Sequence, residues 1–299
     1  MTYNFVDPFA KTRPIRRLDF QRPPRSRFWT GCLTLSGFVV LLVLVALAYF
    51  LLPLRTNILL LGTDRSIEGT SLSRTDTIVL TTVVPLKPYV GMLSIPRDLW
   101  VSIPGVGENR INTAYFFAEN QQAGSGPEAT LETIQQDFGV DVDYYVLLKF
   151  DGVQAIADTL GGVEIELNAP MSGYPAGRHV LNGEQSLAFV RDREGSDDFF
   201  RMARGQLFLK SIGRQMLSPD YWPRVPQTIL VILNSVDTNV PVWLWPRLAV
   251  AVLRSGTDGI DARVISRDMV TPFTTSGGAQ VLDPNWDKIN PVLKEMFGQ

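Results

Sequence analysis

The sequence predicts an α/β fold: a mixed central sheet flanked by helices, forming a single extracytoplasmic domain behind one N-terminal transmembrane helix. Three observations predict it. Strand-like and helix-like apolar patterns alternate from Asn57 to the C-terminus. Two β-branched runs, Asp76–Val84 and Tyr89–Ile95, are separated only by Pro85-Leu86-Lys87-Pro88. That spacing reads as an antiparallel hairpin, which makes the sheet mixed. Ahead of both lies an apolar run with no charged residue between Arg27 and Arg55.

The apolar run is densest from Leu33 to Leu52. About 20 such residues at 1.5 Å rise span a hydrocarbon core of roughly 30 Å. Residues 1–27 carry seven Lys or Arg against two Asp, a net of +5, which sets the N-terminus in the cytoplasm. Ala46-Leu47-Ala48 resembles a cleavage site but sits inside the run, so the helix is expected to stay as an anchor. Three parts follow: residues 1–28 as a basic cytoplasmic arm, 29–54 as the transmembrane helix, and 55–299 as the extracytoplasmic domain.

In that domain Asn57–Leu61 is a buried strand ending at Gly62. The hairpin comes next, and Pro104, Gly105 and Gly107 make residues 102–110 a loop. Pro127–Phe138 is a helix with proline in its first turn and Gly139 as its stop. Tyr144–Phe150 is a strand. Asp151-Gly152-Val153-Gln154 predicts a capping box for a helix to Leu160. Gly161-Gly162 turns into the strand Val163–Leu167, and residues 170–184 form a turn-rich loop. Gln185–Arg191 leads into a polar segment through Asp198, and Phe199–Leu217 is a long amphipathic helix. Thr228–Asn234 and Pro241–Arg254 are helical, Ala262–Ser266 is a strand, and Pro284–Phe297 is a final helix.

Composition excludes several chemistries. The chain beyond residue 27 has a net charge of −7, which disfavours a nucleic-acid partner. One His and one Cys in 299 residues exclude a structural zinc site, a disulfide framework and a Cys–His nucleophile. His179 sits among turn residues, and Cys32 is a small apolar residue at the membrane edge.

What remains is carboxylate and guanidinium chemistry. Gly62-Thr63-Asp64-Arg65 follows the first strand, Ser73-Arg74-Thr75-Asp76 precedes the second, and Pro96-Arg97-Asp98 follows the third. If the first two strands run antiparallel, Asp64 and Asp76 share one sheet edge, and the hairpin returns Arg97 to it. Two carboxylates beside several arginines suit a hard cation and phosphate oxygens. A second cluster runs from Arg191 to Gln206. Arg191 and Arg193 share a face if that stretch is extended, and Arg201 and Arg204 share a helix face at i, i+3. Met202, Ala203, Leu207, Leu209, Ile212 and Met216 are expected to pack on the sheet. Asp197 and Asp198 are expected to cap the helix start. Arg110 either lines a pocket or fixes a loop by an ion pair, and Arg204 either joins the site or pairs with an acidic neighbour.

The order GTDR, RTDT, SIPRDLWVSIPG, RIN, LGGVE, LNGEQSLAFVRDR and DDFxRxxRxQ resembles the LytR–CpsA–Psr family. The resemblance runs from Asn57 to Lys210, and the weaker tail to Phe297 is compatible with it. It implies a membrane-anchored, Mg2+-dependent phosphotransferase of cell wall assembly, with Mn2+ as the alternative ion. Such an enzyme moves a glycopolymer from a polyprenyl pyrophosphate carrier to a peptidoglycan hydroxyl, at the cytoplasmic membrane. By the same resemblance Asp64 and Asp76 are the metal-associated carboxylates. Arg74, Arg97, Arg191, Arg193 and Arg201 clamp the pyrophosphate. Asp76 or Asp98 takes the acceptor proton. The lipid tail calls for an apolar channel, for which Tyr144–Phe150, Phe189 and Leu207–Ile212 are candidates.

Two positions depart from the family pattern. The family's Arg-Gln-Gln is Arg204-Gly205-Gln206 here, which leaves Gln206 or water to make the head-group contact. The family's Gly-Gly after the RIN segment is replaced by Tyr115-Phe116-Phe117-Ala118-Glu119. Two other functions stay open at this point: a polyprenyl pyrophosphate phosphatase, and a non-catalytic module that binds lipid-linked polymer.

Overall fold

A six-stranded mixed sheet carries the molecule. The computed structural model describes residues 27–51, 55–63, 74–85, 89–192, 198–256 and 259–298, besides residue 2. It divides into two units, Met1–Ala48 and Tyr49–Gln299. Most of helix α1 (Arg27–Leu51) belongs to the first unit. Side chains of α1 are described from Ser36 to Phe50. Among the described residues no helix is long and apolar enough to cross a membrane.

In the second unit β1 (Thr56–Thr63), β2 (Thr75–Val84) and β3 (Tyr89–Ser94) are antiparallel neighbours. Strand β6 (Tyr144–Lys149) runs parallel to β1, and β10 (Ile260–Val264) runs parallel to β3. With β9 (Val236–Thr238) at one edge, the order is β10-β3-β2-β1-β6-β9. Both faces are covered, which is why Ile58–Leu61 is continuously apolar. Successive side chains point to opposite faces. Leu59, Leu61, Ile78, Leu80 and Leu93 meet Ile134 and Phe138 of α3 (Gly126–Phe138) and Ile289 and Leu293 of α9 (Trp286–Phe297). On the other face Val79 and Met92 meet Leu209 of α6 (Asp198–Leu217) and Val252 of α8 (Trp245–Ser255).

The hairpin, the mixed sheet and the long helix form as expected, and Gly139 closes α3 at φ 64. Several local expectations do not hold. Residues 102–110 are not a loop: β4 (Trp100–Ile103) and β5 (Gly107–Arg110) pair across a turn at Pro104–Val106, with Gly107 at φ 96. The next segment forms α2 (Asn112–Gln121), which buries Tyr115. No capping box precedes α4 (Phe150–Leu160); the helix starts one residue earlier, with Lys149 at the cap position and Asp151 in its first turn. The expected loop 170–184 contains β8 (Gly177–Leu181), an antiparallel partner of β7 (Val163–Leu167). A capping box does exist at Asn182 and Gln185, at the start of α5 (Gly183–Arg191). Arg191 is therefore the last helical residue, not part of an extended stretch. The stretch after α8 adds β11 (Val270–Thr274) and β12 (Gln280–Pro284), so Pro284 ends a strand and α9 begins two residues later. The helix expected at Thr228–Asn234 does form, as α7 (Val225–Ser235), and the short strand β9 follows it.

Candidate active site

The sheet geometry brings the early charged segments to one edge. Thr63 pairs with Thr75 across a bulge at Gly62 and Thr63. Asp76 therefore sits at the edge where β1 ends, and Asp64 is the residue after β1. Asp64 and Arg193 lie outside the described residues. β3 ends at the same edge: the Ile95 amide donates to the Ile78 carbonyl at 2.9 Å, and the chain then turns through Arg97 and Asp98.

Arg97 is the hub. Its Nη1 donates to Asp76 Oδ1 at 2.5 Å. Its Nε lies 3.3 Å from Asp198 Oδ1 and 3.5 Å from Asp98 Oδ2. Its backbone amide reaches Asp198 Oδ2 at 3.4 Å. Arg201, one turn into α6, pairs with Asp198 and lies 3.7 Å from Asp76 Oδ1. Its Nη2 also donates to the Asp76 carbonyl at 3.0 Å. Residues from the first third of the domain thus meet α6 in one half-buried cluster.

Burial and pairing oppose each other here. Burial disfavours the Arg97 charge, but the hydrogen bond to Asp76 and the charges of Asp198, Asp76 and Asp98 outweigh it. The guanidinium is held above its usual pKa. For Asp198 the balance reverses: burial pushes its pKa up, and Arg201 and Arg97 only partly counter this. Asp198 serves the helix start as expected, at i, i+3 from Arg201, and it also joins the site. That second role was missed, because it depends on Arg97, which lies about a hundred residues earlier in the chain.

The other expected residues are placed as follows. Arg74 is exposed just before β2, and its guanidinium lies 5.3 Å from the centre of the Phe116 ring. Arg191 is half-buried at the end of α5. Arg204 is buried and pairs with Asp192, whose backbone carbonyl it also reaches; burial lowers its pKa more than Asp192 raises it. Arg110 fixes a loop: its Nε lies 3.4 Å from Asp98 Oδ1, and its Nη2 donates to the Gln280 carbonyl at 2.8 Å. His179 contacts the Pro175 carbonyl at 2.8 Å. Gln206 is buried, and its amide donates to Ser94 Oγ at 2.9 Å and to the Arg263 carbonyl, which ties α6 to β3 and β10.

α6 buries a more polar face than expected. Arg201, Arg204, Gln206, Ser211 and Gln215 are buried, as are Met202 and Phe208, while Ala203, Leu207, Leu209, Ile212 and Met216 are only half-buried. Part of the reason is a cavity of about 210 Å3 beside the helix. It is lined by apolar side chains that include Val79, Val146, Leu148, Val190, Phe208, Leu209 and Ile212. A smaller cavity lined by Asp76, Arg201 and Gln206 shares Thr77, Val79, Val190 and Gly205 with it. A Cβ built at Gly205 would meet nothing within 4 Å. The missing side chain therefore leaves open space between the apolar cavity and the charged edge.

For a divalent cation the donor set is oxygen only. Asp76 fits the chemistry of a magnesium site, which takes few carboxylates and completes its shell with phosphate oxygens and water. Among the described residues no three His, Cys, Asp or Glu side chains are grouped to hold a metal ion unaided.

Curated relatives match part of the chain. Regulatory protein MsrR of Staphylococcus aureus (strain COL) is 30% identical over 195 residues, covering 62% of this chain and 57% of the relative. The polyisoprenyl-teichoic acid–peptidoglycan teichoic acid transferase TagU of Oceanobacillus iheyensis is 31% identical over 190 residues, covering 62% and 58%. The chain thus matches little more than half the length of these relatives. Two solved structures share the fold. B. subtilis TagV gives a TM-score of 0.67 at 23% identity, over 82% of this chain and 98% of that one. TagT bound to LIIa-WTA gives 0.63 at 22% identity, over 82% and 91%. The LytR_cpsA_psr family model matches residues 54–296, and the chain belongs to that family.

Proposed function

We propose that this protein is a membrane-anchored phosphotransferase that moves a glycopolymer from a polyprenyl pyrophosphate carrier to a peptidoglycan hydroxyl. The observation that carries this reading is the charged edge around Arg97 lying next to an apolar cavity. A charged head group and a long hydrocarbon tail need those two environments side by side. The transferase name of the TagU relative supports the same reading.

In this reading Arg97 and Arg201 hold the non-bridging phosphate oxygens, exchanging hydrogen bonds now made to Asp76 and Asp198. Arg74, Arg191 and Arg193 complete the pyrophosphate site; the Gln206 amide is committed to Ser94 and the Arg263 carbonyl, so the head-group contact expected of it falls to water. Asp64 and Asp76 hold Mg2+, which when bound neutralises charge on the two phosphates and on the departing lipid phosphate. The acceptor hydroxyl oxygen attacks the glycan-proximal phosphorus. The bond from that phosphorus to the bridging oxygen breaks, polyprenyl phosphate leaves, and the hydroxyl proton passes to a carboxylate. Of the two expected bases Asp98 is better placed, because its contacts with Arg97 and Arg110, at 3.5 and 3.4 Å, are longer than the 2.5 Å bond that Asp76 accepts from Arg97. Positioning and charge neutralisation supply most of the catalysis in phosphoryl transfer, so a site without histidine suffices.

The apolar run at 29–54 anchors the chain in the cytoplasmic membrane, with the basic arm inside and the site outside. The test uses the full chain in vesicles with Mg2+, a polyprenyl-pyrophosphoryl saccharide and peptidoglycan oligomers. The expected product is a glycan–peptidoglycan phosphodiester together with polyprenyl phosphate. Release of saccharide phosphate and polyprenyl phosphate, with water replacing the acceptor hydroxyl and no glycan–peptidoglycan product, would select the phosphatase instead. Binding of donor without turnover would select the non-catalytic module.

A further inference from the structure

A second cavity meets the charged cluster through different residues. It measures about 510 Å3, within the range of roughly 300–1,000 Å3 of small-molecule sites, and it shares no lining residue with the apolar cavity or its smaller neighbour. Its inner end is formed by Asp98 and Asp198, the two carboxylates on the Nε side of Arg97. Its outer wall comes from the β11–β12 hairpin, with Phe273, Thr274 and Gln280, and from Arg267. None of these outer residues belongs to the motifs that carry the family resemblance.

The wall chemistry is specific. The Arg267 guanidinium lies 5.6 Å from the ring centres of both Phe199 and Phe200, a cation–π arrangement. The Phe273 ring stands edge-on to Trp100 at 5.9 Å and remains 37% exposed. Two carboxylates at the inner end repel a phosphate, so this cavity is no second anion site. Carboxylates do accept hydrogen bonds from hydroxyl groups, and exposed aromatic rings cover the C–H faces of sugar rings.

Reaction geometry gives the cavity its place. Phosphoryl transfer sets the attacking and leaving oxygens roughly in line on opposite sides of phosphorus. The apolar cavity takes the leaving lipid side through Asp76 and Arg201, so the nucleophile has to approach from elsewhere. The geometry points to the Phe273–Arg267 cavity as the acceptor subsite, binding the neutral, hydroxyl-rich rings of the glycan that supplies the nucleophile. This inference rests on the transfer reading above and names the residues that select its acceptor.

The test keeps the two claims apart. The full chain in detergent micelles is titrated with a peptidoglycan tetrasaccharide by saturation-transfer NMR, and transfer kinetics are measured in parallel. Phe273→Ala and Gln280→Ala remove exposed side chains, so folding is expected to persist and is checked by Tm. Either change weakens tetrasaccharide binding, and Phe273→Ala raises the acceptor KM about tenfold, the cost of truncating one aromatic anchor. Donor KM stays unchanged, and inorganic pyrophosphate does not displace the saccharide. An unchanged acceptor KM in both variants, or displacement by pyrophosphate, overturns the subsite while leaving the transfer reading intact. Saccharide binding lost on Phe273→Ala in a protein that transfers nothing overturns the transfer reading and leaves the subsite standing.

Discussion

Arg97 is the residue on which the site turns. Three carboxylates converge on it, so its removal does more than delete the phosphate contact proposed for it. Asp76, Asp198 and Asp98 would be left close together without their common cation. Arg97→Ala is expected to lower the transfer rate by about 10²–10³-fold, the usual loss for one charge-stabilising donor. It should also destabilise the fold by about 1–3 kcal/mol, through carboxylates left unpaired. Rate assays and denaturant titration check both. Asp198 gives a pH signature with a definite sign. Its pKa is raised in the folded state, so ionising it costs stability. That cost is absent below the ordinary carboxylate value of 3.8 and is complete once pH exceeds the folded pKa. The Tm of Asp198→Asn relative to the parent should therefore climb as pH rises from below 3.8 toward neutrality. A gap that stays flat or shrinks contradicts the burial argument. At this scale the sequence made Asp76, Arg97 and Arg201 legible, because strand ends and helix spacing place them. Asp198 had an equally good local explanation as a capping group, and nothing local tells a cap from a cap that also faces Arg97.

At the scale of elements, α6 is the part that ties the site together. It carries Asp198 and Arg201 to the sheet edge and then fastens itself through Gln206 to Ser94 and to the backbone of β10. Gln206→Ala removes both links and leaves the Ser94 hydroxyl buried, at a cost of about 1–3 kcal/mol. Gly205, one residue earlier, behaves oppositely. Its added Cβ meets nothing within 4 Å and its place is helical, so Gly205→Ala should stabilise the protein by about 0.5–1 kcal/mol in chemical denaturation. A loss of stability would show that the space beside Gly205 is not open. The elements most legible in the sequence were those with one dominant signal: NILLL before Gly62, the β-branched hairpin, and proline and glycine bracketing α3. The missed strands β4, β5, β8, β11 and β12 are short and pair in two-stranded ribbons. Their glycines and prolines sit in or beside the turns, so the turn signal hid the strands on either side. α6 misled for another reason: its half-buried Leu209 and Ile212 line a cavity, and buried polar groups hold its other positions.

The whole molecule places a lipid-sized need beside a charge-sized one. The apolar cavity contains no charged lining residue, and it joins the charged edge at Gly205. Filling it by Ile212→Trp should cut kcat/KM about tenfold for a long-chain donor, on the scale of one misfitted apolar group, and spare a short-chain one. Equal effects on both donors would mean that the tail lies elsewhere. The mixed α/β sheet was the most legible large-scale feature, because strand-like and helix-like apolar patterns alternate along the chain. How far the hairpin β11–β12 shapes the cavity beyond Asp98 was not legible, because that depends on which elements meet in space. The central claim is that the Arg97 cluster transfers a glycan from lipid to wall. The most direct measurement is mass analysis of peptidoglycan oligomers incubated with the full chain in vesicles, Mg2+ and a polyprenyl-pyrophosphoryl saccharide. A phosphodiester-linked adduct that disappears with Arg97→Ala is the predicted result; unmodified oligomers alongside intact donor, or an adduct that survives Arg97→Ala, would contradict it.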